Sequence, residues 1–260
     1  MPAPLPAALQ GRETLRDRSF GLPLLHPWAN RLSGFEYAFD GAQVELDGND
    51  IYIEEHGLPL HGLRSAVQRW AVSHSSDTRL VAGRDFAGVP EFPFDHRLEV
   101  AAELSETTLT LTTTLTAGTR PVPVSFGYHP FFQLPNVPRA AWEIALPVGD
   151  RLLLDENLVP TGERVPAGDL DGPLGERLFD DGFTLDELRG PFVLQGGGRR
   201  IEVRLEAGYP YAQIFAPAVA DVICFEPMTA PADALRHSPD AVAPGESFSA
   251  RFSVSVSSRT

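Results

Sequence analysis

The chain contains no lysine: all 21 of its cationic residues are arginine. The base composition of the genome is sufficient cause, but the absence still removes chemistry. No Schiff-base lysine can form, and no phosphate loop of the usual Gly-Lys-Ser/Thr type is present. Cysteine is nearly as scarce. Cys224 stands alone, which excludes an intramolecular disulfide and a cysteine-rich zinc site. Its apolar setting, Val222-Ile223-Cys224-Phe225, reads as a buried inert thiol, compatible with a reducing compartment. No apolar run approaches the roughly 20 residues that span a bilayer. The start, Met1-Pro2-Ala3-Pro4-Leu5-Pro6, lacks the basic lead and apolar core of a secretory leader. Positive charge is in deficit too. At a net charge of −14, the surface repels phosphate backbones and anionic lipid, so neither nucleic acid nor membrane is an expected partner. A cytoplasmic protein is the expectation; its oligomeric state is open.

Sustained helical periodicity is missing as well. Thr184 to Leu188 and Pro231 to Arg236 offer a turn or two each, too short to stand alone. What is present is alternation with period two. Phe35, Tyr37 and Phe39 lead into Asp40-Gly41, and Val44 and Leu46 follow, which is a hairpin signature. Leu98, Val100 and Leu104 alternate up to a turn at Ser105-Glu106-Thr107. Leu109, Leu111 and Leu115 continue beyond it, with threonines between them. Trp142, Ile144 and Leu146 repeat the pattern, as do Ile201, Val203 and Leu205, and then Phe248, Phe252, Val254 and Val256. Glycine (23) and proline (24) are scattered rather than clustered, as suits many short strands. The 43% hydrophobic content is enough for a sizeable core. The expected fold is all-β: one large antiparallel β-sandwich domain over residues 1–260, frayed over about 1–10, with few short helices. Long connections are expected around 147–183 and 226–246.

Four stretches carry chemistry. In Ser125-Phe126-Gly127-Tyr128-His129-Pro130-Phe131-Phe132, the proline pushes His129 into extended backbone. Four aromatics around it offer faces on which sugars stack, and a histidine exchanges protons near neutral pH. The alternative is a core histidine satisfied by a carbonyl. In Phe225-Glu226-Pro227-Met228-Thr229, Glu226 closes an apolar run just before a proline expected to stop the strand. Partial desolvation there raises a carboxyl toward the range of a general base; the alternative is a surface acid at a strand end. In His26-Pro27-Trp28-Ala29-Asn30-Arg31, Arg31 and Asn30 are candidates for binding hydroxyls, or else they form a turn with a surface arginine. Leu60-His61-Gly62 is the weakest signal. His56 and His61 do not match the helical His-Glu-x-x-His pattern, and no catalytic metal is expected.

Taken in order, these stretches resemble the aldose 1-epimerase (galactose mutarotase) family over residues 20–256. Tyr128-His129-Pro130-Phe131-Phe132 is the most specific of them, followed by Glu226-Pro227-Met228-Thr229. The resemblance implies a galactose mutarotase-like supersandwich and a cofactor-free interconversion of sugar anomers, with a small-molecule sugar as partner. It implies His129 as general acid and Glu226 as general base, with Arg31 and His61 at the substrate. It also implies an aspartate in an Asp-x-x-Phe setting. In Phe179-Asp180-Asp181-Gly182-Phe183 the spacing to Phe183 favours Asp180, with Asp181 as the alternative. The family usually has more chain ahead of Asn30-Arg31, so a missing or shortened first strand is expected. An epimerase for an anionic sugar would need a convergent arginine cluster, for which Arg31 and Arg64 are candidates. A non-catalytic sugar binder needs neither His129 nor Glu226. A glycoside hydrolase would pair two carboxylates.

Overall fold

The computed structural model describes residues 21–185, 190–237 and 239–258. Two antiparallel sheets carry the architecture. The larger has nine strands, in the order Gly172–Pro173, Glu143–Ala145, Phe192–Gly196, Arg199–Ala207, Ser247–Ser258, Thr108–Ala117, His96–Leu104, Arg79–Phe86 and Ala71–Ser75. The other runs Leu24–Leu25, Gly127–Tyr128, Ile223–Met228, Tyr211–Ala216, Phe179–Thr184, Asp150–Leu154 and Pro160–Pro166, with Phe131–Phe132 also paired to Ile223–Met228. Among the described residues the helical elements are short 3-10 turns, and no helix is long and apolar enough to cross a membrane.

The alternation seen in the sequence has its cause here. Along Thr108–Ala117, Leu111 and Leu115 point into the core, while Thr114 and Thr116 bond Ser249 and Ser247 on the neighbouring strand. Buried residues of both sheets form one continuous apolar cluster. Phe192 of the larger sheet stacks on Phe225 of the other at 5.4 Å, and Phe252 packs on Tyr128 at 5.1 Å. The hairpin at Asp40-Gly41 forms between Glu36–Phe39 and Ala42–Glu45. Both turn residues take positive φ, 46° and 75°, the combination that matches the twist of the flanking strands.

Two expectations need correction. The 147–183 connection contains the strands Asp150–Leu154, Pro160–Pro166 and Phe179–Thr184. Pro160–Pro166 is the edge strand and Asp150–Leu154 lies next to it; neither contains a fully buried residue, so they show no apolar alternation. Pro227 does not stop its strand, which runs on to Met228; a break in the neighbouring ladder, described below, accommodates it. The turn expected at Pro231–Arg236 is a 3-10 turn at Ala234–Arg236. The one at Thr184–Leu188 runs into residues outside those described, as do the first ten.

A polar pair lies within the core. The His26 and His96 rings meet Nε2 to Nε2 at 2.8 Å, and His96 Nδ1 is 2.6 Å from the Phe94 carbonyl oxygen. The carbonyl only accepts, so His96 carries its proton on Nδ1. Its Nε2 therefore accepts from His26 Nε2–H. Burial, reinforced by His96 and Arg84, holds His26 well below the usual imidazole range. Burial likewise lowers His96 to about 4, against the opposing pull of the Phe94 hydrogen bond. In the unfolded chain both protonate near pH ~6.5. Between there and about pH 4 the unfolded state binds more protons than the folded one, so stability falls as pH falls. His96 alone is expected to account for about 3 kcal/mol across that window. Denaturant midpoints measured on both sides of it check this. The His26→Leu/His96→Leu double variant should show a clearly shallower loss than wild type, and equal slopes would refute the assignment.

Candidate active site

The strand Ile223–Met228 is buried along its whole length, and strand parity divides its duties. Ile223 and Phe225 enter the apolar core, and Cys224 and Glu226 face the opposite side. On one flank Glu226 pairs in register with Gln213. On the other flank, Gly127 pairs with Met228 and Phe131 with Cys224. The register is the same on both sides of the interval between those pairs, so His129 falls opposite Glu226 across a break in the ladder. Tyr128 falls opposite Pro227, and Pro130 opposite Phe225. A proline on each side has no backbone donor to contribute, which is why pairing lapses there. His129 N–H donates instead to the Pro23 carbonyl at 3.0 Å.

The side chains meet across that break. His129 Nε2 lies 3.2 Å from Glu226 Oε1, and both are largely screened from solvent. Phe131 stacks on the His129 ring at 4.4 Å and 13°. Phe215 and His61 meet it edge-on at 5.7 and 5.4 Å. These contacts fix the imidazole plane. Burial pushes the Glu226 carboxyl well above its ordinary range; the Asp180 carboxylate adds to the shift and Arg31 opposes it. The Cys224 thiol is pushed up too, by burial and then by Glu226, so it is protonated at neutral pH.

Asn30, Arg31 and His61 reach the site from two interlocked loops. His61 N–H donates to the Asn30 carbonyl at 3.0 Å, and Asn30 N–H donates to His61 Nδ1 at 3.3 Å. The imidazole proton is thereby left on Nε2. Both residues hold positive φ, 59° and 62°. The following Gly62 has φ 75°, and a side chain there would collide with the His26 carbonyl, which accounts for the His-Gly pair. The Asn30 side chain accepts from Arg31 N–H at 2.8 Å. Arg31 Nη2 lies 3.5 Å from Asp180 Oδ2, and its Nε 3.5 Å from Glu54 Oε2.

Parity also separates the two aspartates. Asp180 sits on the site face, where Gln213 Nε2 donates to its Oδ1 at 2.7 Å. Asp181 points the other way, 3.9 Å from Arg151. All six candidates, Asn30, Arg31, His61, His129, Asp180 and Glu226, therefore gather on one side of one sheet. Sequence reasoning missed Gln213, whose signal is only its register beside Glu226. It missed Glu54, which neutralises Arg31. It also missed Asp233, which accepts from the Ser33 backbone and hydroxyl at 2.7 and 2.8 Å and anchors the segment after Arg31.

A cleft of about 230 Å³ opens beside His129, lined by Tyr52, His61, Arg64, His129, Phe131 and Phe215 among others. One wall is the 217–222 segment. Arg139 holds it by donating to the carbonyls of Pro217, Ala220 and Val222 at 3.0–3.4 Å. A larger groove of about 550 Å³ around Glu206, Tyr209 and Phe248 contains none of the six candidates, whereas the smaller cleft is lined by His61 and His129.

Residues 8–255 match the family model for aldose 1-epimerase. The chain belongs to the aldose 1-epimerase family. It is 29% identical over 251 residues to YphB, an uncharacterized protein of Escherichia coli (strain K12), covering 89% of this chain and 82% of YphB. Its fold resembles that of a galactose mutarotase-like protein from Clostridium acetobutylicum, with a TM-score of 0.80 at 17% identity over 94% of this chain and 81% of that one. It also resembles galactose 1-epimerase from Lactobacillus acidophilus NCFM, with a TM-score of 0.75 at 17% identity over 97% and 84% of the two chains. At such identities these two structures establish the shared fold of the family and nothing finer.

The buried charges yield a stability test. The Arg31 and Glu54 side chains are only 10% and 4% exposed. Removing the guanidinium leaves Glu54 buried without its counter-charge, which typically costs about 3 kcal/mol. Arg31→Ala should lose about that much in urea unfolding. The Arg31→Ala/Glu54→Gln double variant should recover part of the loss, and failure to recover any would show that the Arg31–Glu54 contact is not the source.

Proposed function

We propose that this protein is a cofactor-free mutarotase that interconverts the α and β anomers of a free hexose, acting in the cytoplasm as one β-sandwich domain. The observation that carries the reading is the 3.2 Å contact between His129 and Glu226. Anomerisation takes a proton from the C1 hydroxyl and gives one to the ring oxygen. Those two oxygens are bonded to the same carbon, so acid and base must stand side by side. Carboxylates arranged for glycoside hydrolysis stand farther apart, at about 5 Å or more.

In this reading Glu226 is the base. Its raised pKa makes it a stronger proton acceptor than an ordinary carboxylate. His129 is the acid, protonating the ring oxygen as C1–O5 breaks. The open aldehyde turns about its C1–C2 bond, and closure on the other face returns both protons. Protons alone are exchanged, so an acid and a base suffice. Arg31, His61, Asn30 and Asp180 hold ring hydroxyls, with Gln213 orienting Asp180. Phe131 and Phe215 offer apolar faces to the sugar C–H groups. An anionic sugar is the second reading. Arg64 favours it, sitting at the cleft with its guanidinium 5.9 Å from the Tyr52 ring. Arg31 is already engaged by Glu54 and Asp180, which leaves it little charge to offer an anion, so the free sugar is the better fit.

Polarimetry of freshly dissolved α-anomers, run over a panel that includes glucose-6-phosphate, tests both readings. A phosphate ester turned over faster than every free sugar would establish the second. Glu226→Gln and His129→Asn should each lose at least ~100-fold in kcat. Because they are halves of one relay, the double variant should be scarcely slower than the worse single one; fully multiplicative losses would break the coupled acid–base reading. Arg31→Ala and His61→Ala should raise KM, and normal saturation curves for both would remove them from the substrate site.

A further inference from the structure

The anomerisation chemistry leaves Cys224 idle, yet the thiol lies within the site. Cys224 and Glu226 are two residues apart on one strand and so face the same side. The ligating atoms of His129, Cys224 and Glu226 all lie within 4.8 Å of one another. An imidazole nitrogen, a thiol sulfur and a carboxylate oxygen form a donor set suited to a borderline-soft divalent cation. Zinc bonds of about 2.0–2.3 Å place donors roughly 3.3–3.8 Å apart around one ion, so the set must draw in by about 1 Å at its widest. Rotation of the Glu226 and Cys224 side chains supplies a movement of that size without moving the strand. His129 borders the cleft, which gives an ion a path in and leaves room for a fourth ligand, a water or a sugar hydroxyl.

We propose that His129, Cys224 and Glu226 form a three-ligand site for a zinc-like divalent cation, and that a bound cation silences the acid–base pair. On binding, the S–H bond breaks and a metal–sulfur bond forms, and the His129 ring nitrogen gives up the proton it carries as the acid; both protons leave to solvent. His129 and Glu226 each donate a lone pair, and nothing is oxidised or reduced. The ion then occupies the lone pairs that proton transfer requires. The silencing rests on the mutarotase reading above; the binding does not.

Cobalt(II) titrated into the full-length protein, free of chelator and added thiol, reads the site directly. One equivalent should produce a cobalt–thiolate charge-transfer band in the near ultraviolet, displaced by zinc. Cys224→Ala and Cys224→Ser should both abolish the band, and His129→Asn should weaken cobalt binding at least ~10-fold. Zinc K-edge absorption of the wild-type complex requires no variant, and should show one sulfur at about 2.3 Å. Absence of the band, a sulfur-free zinc shell, or a band that survives in both cysteine variants would each overturn the site. Zinc should abolish mutarotation over the same concentration range in which it binds, with chelator restoring it. Binding that leaves mutarotation intact would overturn the silencing. A metal-free protein with no mutarotase activity that still shows the band would refute the proposed function and uphold the site.

Discussion

The geometry of the site depends on one strand, Ile223–Met228, being buried on both faces. An ordinary sandwich strand has a dry face and a wet one. Here the dry face packs Ile223 and Phe225 into the core, and the second face is covered by the loops that carry Asn30, Arg31 and His61. That double burial desolvates Glu226. A surface glutamate in the same register would keep an ordinary pKa and would be a poor proton acceptor at neutral pH. The same strand supplies rigidity, because a residue cannot shift in the middle of a sheet without disturbing the ladder on each side.

Proline placement then decides where the ladder opens. Pro130 and Pro227 lie one residue from His129 and Glu226 respectively, on facing strands, and the missing donors relax pairing over a short interval whose register is nonetheless kept. Backbone bonds on either side hold His129 and Glu226 opposite one another, while the local break lets their side chains turn toward each other. A continuous ladder would fix the same register but draw the backbones into regular pairing at that point. A register slip of one residue would send His129 or Glu226 to the wrong face. The electrostatics follow from this placement. Two carboxylates, Asp180 and Glu54, flank Arg31. The guanidinium is thus largely balanced before Glu226 is counted, and burial remains the leading influence on that residue.

Much of this was legible in the sequence because it is local. Asp40-Gly41 marked its hairpin through turn chemistry, and the threonine–leucine alternation marked the strand Thr108–Ala117 through burial of one face. His129 and Glu226 stood out because histidine and glutamate are rare inside aromatic and apolar runs. Strand parity puts Asp180 on the face of Glu226 and Asp181 on the other, the same order of preference that the spacing to Phe183 gives. What escaped is non-local. Gln213 sits in Tyr211-Ala212-Gln213-Ile214 with nothing to distinguish it from a solvated strand residue; only its pairing with Glu226 and its bond to Asp180 give it meaning. Glu54 and Asp233 hold loops that the sequence does not show to be adjacent. The strands Asp150–Leu154 and Pro160–Pro166 read as loop because neither buries a residue fully, so they carry no alternation.

The site draws on residues 30, 31, 61, 129, 180 and 226 of the chain, so none of its parts can assemble early from local contacts. Each pairing closes a long loop of chain, and such contacts form only after that entropy has been met by core burial. The core must therefore organise before Glu226 loses its water, since desolvating a carboxyl is unfavourable by itself. Stability gained by Ile223 and Phe225 on one face is what offsets the cost of Glu226 on the other, and one strand couples the two by covalent connection. Loosening the core face would rehydrate the carboxyl and return its pKa toward the ordinary range, even with every site residue still present. In this fold the proton affinity of the Glu226 carboxylate is accordingly a property of packing on the far side of the strand as much as of the groups that surround it.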